Sequence, residues 1–484
     1  MKKSVRNLLI MAAVLIVLGG AAAALRFLPG ADADSTSSLS SPAETSSAVQ
    51  ENIMDTKTED VSAISVKNSQ DSFTFVPQGE DFTLKDYEDC ELNTASITSS
   101  VQSLTTMPAS KNLGSRDNLE DFGLAGENAV EVEVTGKDGS AQKLVLGNAA
   151  GESTGRYVLK DNTVYIAANI ADLLYGSKFG YFSTFLYSVE DRTRTVTDEN
   201  GSQSIETLAD ILYSVKLSGS NFPEEIEIEY NEDATSVFYM TKPVKAESGS
   251  TGFENMTAAL KAPTATEVVA AHLTEETLEE YGLTEPFAKV EFKLNEDSHT
   301  MTVSGAELDG SRYLLLDDRD MIYKVSGSAV ADWAETNVLK QRMSYICLPN
   351  IKNVSSLSLT VNGDMAYGFT ATRTVNEEKS TEDSTEYDLS IKNAGGSEVE
   401  YETYRSLYQN LISVAVLSTD REEYSGAPLL HVEYKYFDGS AGNTVEFYAI
   451  ENDRCVALLD GEFNGVVRKT EVDKLVSQLA KSNG

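Results

Sequence analysis

The chain repeats part of its own sequence, and this repetition limits the folds open to it more than any other feature. Residues 119–124 read LEDFGL and residues 278–283 read LEEYGL, and an alternating apolar and polar segment follows each. The match continues through three further pairs of blocks. They are residues 144–147 with 301–305, 156–159 with 312–315, and 164–166 with 322–325. Self-similarity of this kind indicates a fold built from repeated supersecondary units.

A third and weaker copy is predicted over residues 424–467. Upstream of each copy we expect two strands, and after them an amphipathic helix, near residues 255–261 in the second unit and over 402–416 in the third. The predicted strand pairs are residues 64–66 with 73–75, 226–228 with 237–240, and 357–359 with 367–369. Because hairpin turns outnumber any crossover, the pattern predicts an α+β fold of mostly antiparallel sheet with packed helices.

These observations predict three tandem units, each of about 140 residues, at 56–208, 209–352 and 353–484, the last degenerate. A membrane anchor or signal segment is predicted at residues 1–29. Residues 30–55 are rich in Ser, Ala and Thr, which cannot bury enough apolar area to offset the entropy of ordering. They are therefore predicted to form a disordered tether.

The N-terminal segment combines Lys2, Lys3 and Arg6 with an apolar run over residues 8–25, about the minimum length for a membrane-spanning helix. Cationic residues before the run favour a cytoplasmic N-terminus, so the rest of the chain is expected outside the cytoplasm as a single-pass ectodomain. Cleavage after the alanines at 21–24 stays open as an alternative. No cysteine follows the run closely, which excludes a lipoprotein anchor.

Composition excludes several classes of function. The net charge of −37 repels polyphosphate backbones, so we predict no nucleic-acid binding. The cysteines, Cys90, Cys347 and Cys455, form no CxxC pair and are predicted to be buried free thiols, with one disulfide left open. The three histidines, His272, His299 and His431, lie too far apart in the sequence to suggest a metal cluster. His431 is expected to have a structural role. We therefore predict no catalytic, cofactor-binding or metal-binding residues and no cofactor.

Weaker signals are assigned structural roles. Residues 147–155 lack the Gly-Lys-Ser/Thr ending of a phosphate loop and are expected to form a hairpin loop. Acids at 317, 318 and 320 could bind calcium weakly, but a solvated turn is the preferred interpretation.

Trp333 is expected to anchor a helix over residues 329–339 on the sheet. Four tyrosines at repeat-equivalent strand positions are expected to pack across strands, with ligand contact the alternative: Tyr157, Tyr165, Tyr313 and Tyr323.

Gly123 and Gly282 each end an acidic, helix-like segment, between an aromatic residue and a leucine. A glycine that follows a helix commonly takes positive φ, which costs other residues about 1 kcal/mol or more. We therefore predict positive φ at both positions and a folding role for the motif.

The block at residues 281–286 (YGLTEP), with the downstream strands 312–314 and 322–323, resembles the domain-of-unknown-function 4340 (DUF4340) family. The resemblance extends as tandem copies over about residues 56–484. It implies an N-terminal membrane helix and an auxiliary role beside a gliding-motility-type ABC transporter, as in GldG-like components. It implies no catalytic residues.

The favoured hypothesis is a membrane-anchored extracytoplasmic scaffold or interaction protein without enzymatic activity. Its expected contacts are the membrane, through the N-terminal helix, and ABC transporter permease subunits. An extracytoplasmic binding protein for a sugar or peptide is the alternative. A carboxylate-based glycan hydrolase ranks third, because its paired acids cannot be selected by sequence from 76 acidic residues.

Overall fold

The computed structural model describes residues 51–151, 155–198, 201–232, 234–317, 319–381 and 385–482. The expected membrane segment and tether residues 30–50 lie outside these ranges. Within the ranges, no helix is both long enough and apolar enough to cross a bilayer. Strand β1 (Asn52–Asp55) is ordered and buries Ile53 and Met54, so the last residues assigned to the tether belong to the first sheet instead.

The first sheet has nine antiparallel strands in the order β1-β5-β9-β8-β7-β6-β2-β3-β4. After β1 they are β2 (Val61–Lys67), β3 (Ser72–Gln78), β4 (Asp81–Leu84), β5 (Thr106–Gly114), β6 (Val130–Gly136), β7 (Ala141–Ala149), β8 (Arg156–Lys160) and β9 (Thr163–Ala167). Helix α1 (Thr94–Thr105) separates β4 from β5, and the Asn93 side chain caps it by accepting from the Ser96 N–H. Strands β7 and β8 pair antiparallel, as expected for the hairpin predicted at residues 147–155, of which 152–154 lie outside the described residues.

A short hairpin, β10 (Thr193–Thr197) with β11 (Gln203–Thr207), precedes the second sheet. The second sheet contains β12 (Leu212–Ser218), β13 (Ile226–Tyr230), β14 (Phe238–Lys242), β15 (Ala246–Glu247), β16 (Glu267–Ala271), β17 (Ala288–Leu294), β18 (Asp297–Val303), β19 (Ser311–Leu316) and β20 (Met321–Ser326). Its order is β15-β14-β13-β12-β17-β18-β19-β20-β16. Its helices are α2 (Thr251–Lys261), α3 (Glu275–Glu280), α4 (Gly327–Ala334) and α5 (Val338–Gln341).

The third sheet contains β21 (Val354–Val361), β22 (Met365–Val375), β23 (Tyr387–Asn393), β24 (Glu398–Val399), β25 (Val416–Ser418), β26 (Leu430–Tyr436), β27 (Asn443–Ile450), β28 (Arg454–Leu459) and β29 (Glu462–Arg468). Its order is β24-β23-β22-β21-β26-β27-β28-β29-β25, and its helices are α6 (Tyr401–Ile412) and α7 (Lys469–Ser482). Short 3₁₀ turns occupy Thr58–Asp60, Leu119–Phe122, Gly126–Asn128, Asp172–Tyr175 and Lys178–Tyr181. The fold is therefore mostly antiparallel sheet with several helices, as expected for an α+β chain.

Eight of the nine strands have the same order in all three sheets. In each sheet, three leading strands come before a helix, and a return strand (β5, β16 or β25) and four further strands come after it. The ninth strand differs, because β1 lies outside β5 in the first sheet, whereas β15 and β24 add a fourth leading strand to the second and third. The first leading strand (β2, β12 or β21) pairs in the middle of the sheet with the strand that follows the return strand (β6, β17 or β26). The final strand (β9, β20 or β29) pairs with the return strand.

A register shift also recurs in the central strand pair. It falls between Val61 and Ala63, between Leu212 and Ser214, and between Val354 and Ser356. The intervening residue is Ser62, Tyr213 or Ser355. The hydroxyl of Ser62 donates to Thr135 O, and that of Ser355 donates to Lys435 O. A bulge bends its strand and increases the local twist, so the same bend is built into all three sheets.

Three local predictions need correction. Residues 226–228 fall in β13 and residues 238–240 of the predicted 237–240 strand fall in β14, the second and third leading strands, and the sequence pattern missed β12. The third-unit helix ends at Ile412 rather than at 416, because β-branched Val416 joins edge strand β25 and pairs with Val467. The helix expected over residues 329–339 is two helices, α4 and α5. Trp333 is fully buried on α4, as predicted for a helix-on-sheet anchor.

Helices cover one face of each sheet. Helix α1 packs near β4 and β5, α4 near β17 and β20, and α7 near β28 and β29. Most buried side chains of the first two sheets form one continuous cluster, which includes Tyr181 and Leu186 from the segment between those sheets. Ala270, Leu283 and Ile322 form a separate small cluster. The third sheet has its own cluster.

The turn glycines adopt the predicted conformation, with φ of 65° at Gly123 and 66° at Gly282. At the second turn, the Leu283 N–H donates to Leu278 O at 2.8 Å and the Gly282 N–H donates to Glu279 O at 3.0 Å. The same two bonds, spanning five and three residues, close the turn at Gly123. This is the Schellman pattern, in which a left-handed residue satisfies the carbonyls at a helix end.

An aromatic pair supports each of these turns. The Phe122 ring packs edge-on against Tyr157, with centroids 4.8 Å apart, and Tyr281 packs in the same way against Tyr313 at 4.6 Å. The tyrosines of β8 and β19 therefore have a packing role, although their partner is the turn rather than a neighbouring strand. Tyr323 is fully buried.

Candidate functional site

Over the central strands, the face of each sheet opposite its large helices is polar. In the second sheet, α3 and the turn after it cover β19 and β20 on this side with a small apolar cluster that includes Leu283 and Ile322. On the central strands β6, β17 and β26, alternate residues enter the core and the residues between them face outward, as expected for a sheet covered on one side only. The buried residues are Val130, Val132 and Val134 on β6, Ala288, Val290, Phe292 and Leu294 on β17, and Leu430, Val432 and Tyr434 on β26. We refer to the outward sides as the open faces.

One glutamate recurs at the same register position on the three open faces. In each sheet it lies opposite the third residue after the recurring bulge. Glu133 pairs with Ser65, Glu291 with Lys216, and Glu433 with Ser358. Each glutamate forms an ion pair with a lysine, at 3.0 Å to Lys143, 2.5 Å to Lys289 and 3.3 Å to Lys435. Exposed ion pairs contribute little to stability, so this recurrence is not explained by folding energetics.

Shallow depressions lie on equivalent strands of the first two open faces. One, of about 420 Å³, is lined by residues of β2, β3, β6 and β7, including Lys67 and Glu133. The other, of about 550 Å³, is lined by residues of β12, β13, β17 and β18, including Lys216, Glu291 and His299. Both are open and carry charges of both signs, which suits a polar macromolecular surface better than an enclosed small molecule.

His299 is held by neighbouring protein groups. Its Nδ1 lies 2.8 Å from the Asp317 carboxylate, and its ring stacks on Tyr187 with centroids 3.8 Å apart. Burial raises the pKa of Tyr187, whose hydroxyl donates to Leu260 O. His431 makes a similar pair with Glu446 at 3.1 Å. Both arrangements agree with structural roles.

The acids considered for calcium also have protein partners. The second oxygen of Asp317 accepts from the Thr300 N–H, and Asp320 accepts from the Leu273 N–H. Asp318 lies outside the described residues. The two described carboxylates thus order turns, in agreement with the preferred interpretation of this segment as a turn.

A cluster that the sequence did not predict lies where the first and second sheets meet. Asp89 and Cys90 come from the segment between β4 and α1, and His272 directly follows β16. The His272 Nε2 lies 3.2 Å from Asp89 Oδ1 and 3.7 Å from Cys90 Sγ. Burial, together with Asp89 and Asp320, raises the pKa of the Cys90 thiol to about 11, so it is protonated at neutral pH in the absence of a cation. Tyr87 stacks almost parallel to the His272 ring, with centroids 5.0 Å apart.

A polar cleft of about 610 Å³ lies between the second and third sheets. Its lining includes side chains that can both donate and accept hydrogen bonds: Asn231, Thr235, Asn350, Asn353, Ser440 and Asn443. Burial raises the pKa of Tyr239 and of Cys347, each to about 12, so both line the cleft in neutral form at physiological pH.

The same two sheets are joined by a buried arginine. Arg342, which follows α5, donates to the Asn464 backbone oxygen at 2.6 Å, to the Asn464 side-chain oxygen at 2.8 Å and to Tyr345 O at 2.9 Å. Burial lowers its pKa to about 10, which still leaves it charged at neutral pH. Because Asn464 lies on β29, these bonds fix the third sheet against the segment that follows the second.

Neither the cluster nor the cleft could be found from spacing alone. Cys90 and His272 are separated by 182 positions, and no local motif links them. The three cysteines are free, but only Cys455 is buried, whereas Cys90 and Cys347 are half-buried. The one signal in the sequence was the predicted tandem arrangement, which requires junctions between sheets without showing which side chains meet there.

Residues 239–426 match the sequence profile of the Domain of unknown function (DUF4340) family. The match begins in β14 and ends before β26, so it covers parts of the second and third sheets rather than one whole sheet. No match was found among curated proteins or among solved structures.

Proposed function

We propose that this protein is a membrane-anchored extracytoplasmic scaffold, formed by three tandem copies of one sheet unit, that serves as an auxiliary component of an ABC-type transport complex. The observation that carries the proposal is the repetition of the open faces, with a glutamate at the same register position on each. The lysine that pairs with this glutamate differs in position from sheet to sheet. The anchor and the location outside the cytoplasm rest on the N-terminal sequence.

Three features support the tandem arrangement. The sheets share the order of eight of their nine strands, the central strand pair carries the same bulge, and two of the sheets share the glycine turn with its aromatic pair. A repeated unit presents equivalent surfaces along one chain, which is how repeat proteins form extended binding surfaces. The transport association is supported by the resemblance to DUF4340 proteins, which residues 239–426 match.

The test is retention of a transport complex on the tagged full-length chain. Glu133→Gln, Glu291→Gln and Glu433→Gln are combined in one variant, which removes three open-face charges while keeping side-chain size. The protein is purified from detergent-solubilised membranes, and co-purifying permease subunits are quantified by mass spectrometry. We expect at least a fivefold loss of permease, because charge complementarity between surfaces guides association and specificity.

The matched control is Glu279→Gln, Glu280→Gln and Glu285→Gln, which removes three exposed charges at and after the end of α3, away from the central strands. This variant should retain permease at the level of the unmodified chain. Absence of permease from the unmodified chain, or equal retention by both triple variants, would contradict the proposal.

The second candidate function is binding of a sugar or peptide, and the amide-lined cleft between the second and third sheets favours it. The Asn350 side-chain N–H groups would donate to polar ligand groups, while the Asn350 oxygen accepts from the Lys352 N–H. Asn443 is held by Tyr436 and Asp460 and would shape the wall of the cleft. Calorimetric titration with sugar and peptide libraries tests this function. Saturable heat that is lost in Asn350→Ala supports it, and absence of heat across the libraries rejects it.

A further inference from the structure

The donor atoms of Asp89, Cys90 and His272 converge on a single point. Asp89 Oδ1 lies 3.2 Å from His272 Nε2 and 3.9 Å from Cys90 Sγ, and the third side of this triangle, Nε2 to Sγ, is 3.7 Å. The nearest point equidistant from the three atoms lies in their plane, about 2.1 Å from each, close to the zinc–ligand distances of about 2.0–2.3 Å. Around a tetrahedral zinc ion, such donors lie about 3.3–3.6 Å apart, so the two distances to sulfur would shorten by a few tenths of an ångström on binding.

The arrangement does not fit a catalytic triad. In a nucleophile–histidine–acid triad, the nucleophile contacts one ring nitrogen and the acid contacts the other. Here both the Asp89 carboxylate and the Cys90 sulfur approach the same nitrogen, Nε2 of His272. Convergence of an oxygen, a sulfur and a nitrogen on one point is the geometry of chelation.

The backbone at His272 provides a second and independent observation. Its φ is 57°, in the left-handed region, and ten of the twelve non-glycine residues with positive φ in the described ranges are Asp or Asn. The conformation is held by the His272 N–H, which donates to Asp320 O, and by the Leu273 N–H, which donates to the Asp320 side chain. Strained residues persist where the surrounding structure fixes them, and they cluster at functional sites.

The charge around the cluster favours a cation. Asp89 and Asp320 contribute negative charge near the sulfur, while Arg319 is paired with Glu91 at 2.9 Å and also donates to the carbonyl of Leu186. Asp89 is 76% exposed and His272 is 43% exposed, so an ion could enter from solvent and keep a water ligand.

We propose that Asp89, Cys90 and His272 form a three-ligand site for a divalent transition metal ion, with zinc the best match to this donor set. On binding, the Cys90 S–H bond breaks, a metal–sulfur bond forms and the proton passes to solvent, with no change of oxidation state. Imidazole with thiolate selects zinc over magnesium or calcium. The ion would join the segment after β4 to the strand end of β16, and so cross-link the first two sheets. This inference stands whether or not the chain acts as a transport scaffold.

The test uses the full-length chain in detergent, freed of metal by a chelator and then titrated with Zn²⁺ against a chromophoric chelator. We expect one site per chain and at least a tenfold loss of affinity in Cys90→Ser and in His272→Gln. With Co²⁺ in place of zinc, the unmodified chain should show a sulfur-to-cobalt charge-transfer band that is absent in Cys90→Ser. A purely structural role of the cysteine would not produce that band.

Two further variants test the zinc site without disturbing the buried part of the fold. Asp89→Asn changes a highly exposed side chain, so it should fold normally and still bind zinc at least tenfold more weakly. His431→Gln is the matched control, because it removes a histidine–carboxylate pair that has no cysteine within hydrogen-bonding distance, and it should leave affinity unchanged. Zinc affinity that is equal in all variants, or cobalt spectra without the sulfur band, would overturn the proposal.

Discussion

Replacing Gly282, the glycine that closes the turn before β17, should lower the free energy of unfolding only by the strain of its backbone conformation. Gly282 has φ of 66°, and a Cβ built there would meet only the Cβ of Ser304, at 3.7 Å, an ordinary van der Waals contact. Gly282→Ala should therefore cost about 1 kcal/mol, the strain of a left-handed L-residue. Gly282→Asn should cost less, because asparagine tolerates this conformation, and Gly282→Val should cost more.

The equivalent change at Gly123 adds a steric effect. A Cβ at Gly123 would lie 2.5 Å from the side-chain carbon and oxygen of Asn148, so that exposed side chain must rotate away. Gly123→Ala should cost about 1 kcal/mol more than Gly282→Ala, the order of a displaced rotamer. The extra cost should vanish in an Asn148→Ala background.

Native-state hydrogen exchange at the Leu283 amide, which donates to Leu278 O, measures the local opening free energy without assuming two-state unfolding. A loss of about 1 kcal/mol corresponds to roughly fivefold faster exchange. Gly305→Ala is the matched control, because it has negative φ and no heavy atom within 4 Å of the added Cβ. Equal exchange in the Ala, Asn and Val variants would refute the left-handed strain argument.

Three further outcomes are expected. Trp333→Ala should destabilise the second sheet by about 3–5 kcal/mol in urea unfolding, and Trp333→Phe by much less, because the indole is fully buried and its N–H has no hydrogen-bond partner among the described atoms. Burial raises the pKa of Asp71, but hydrogen bonds from Lys178 and Ser72 outweigh burial and lower it below 3.8. This stabilisation is complete above the unfolded-state pKa and is lost as the pH falls through the lower folded-state pKa, so Asp71→Asn should flatten the acid limb of the stability profile. Fusions after Gly30 should be active with an exported phosphatase and inactive with a cytoplasmic reporter, and the reverse pattern would contradict the predicted topology.

The fold could be predicted wherever apolar and polar residues recur in the sequence with the period of a strand or a helix. Alternation on β6 and β17, the polar hairpin turns and the glycine that ends each acidic turn all follow from local physics. The pattern missed β12, although Leu212, Val215 and Leu217 are buried, because the bulge at Tyr213 interrupts their alternation.

The junctions between sheets could not be predicted in the same way. Arg342 has an ordinary sequence context, and its role arises only because β29 brings Asn464 against it. Cys90 and His272 are equally uninformative as isolated residues. Such contacts depend on how sheets pack, which a periodic pattern within one element does not encode.

Site-specific photo-crosslinking in living cells tests the central claim, that the open faces bind a transport complex, most directly. A photoreactive residue is placed at Ser65 or Ser358, exposed positions that pair with the recurring glutamates, and at Glu276 on α3 as the control. The proposal predicts adducts with an ABC permease subunit from Ser65 and Ser358 and none from Glu276. Absence of permease adducts from both open-face positions, or adducts of equal yield from all three positions, would contradict it.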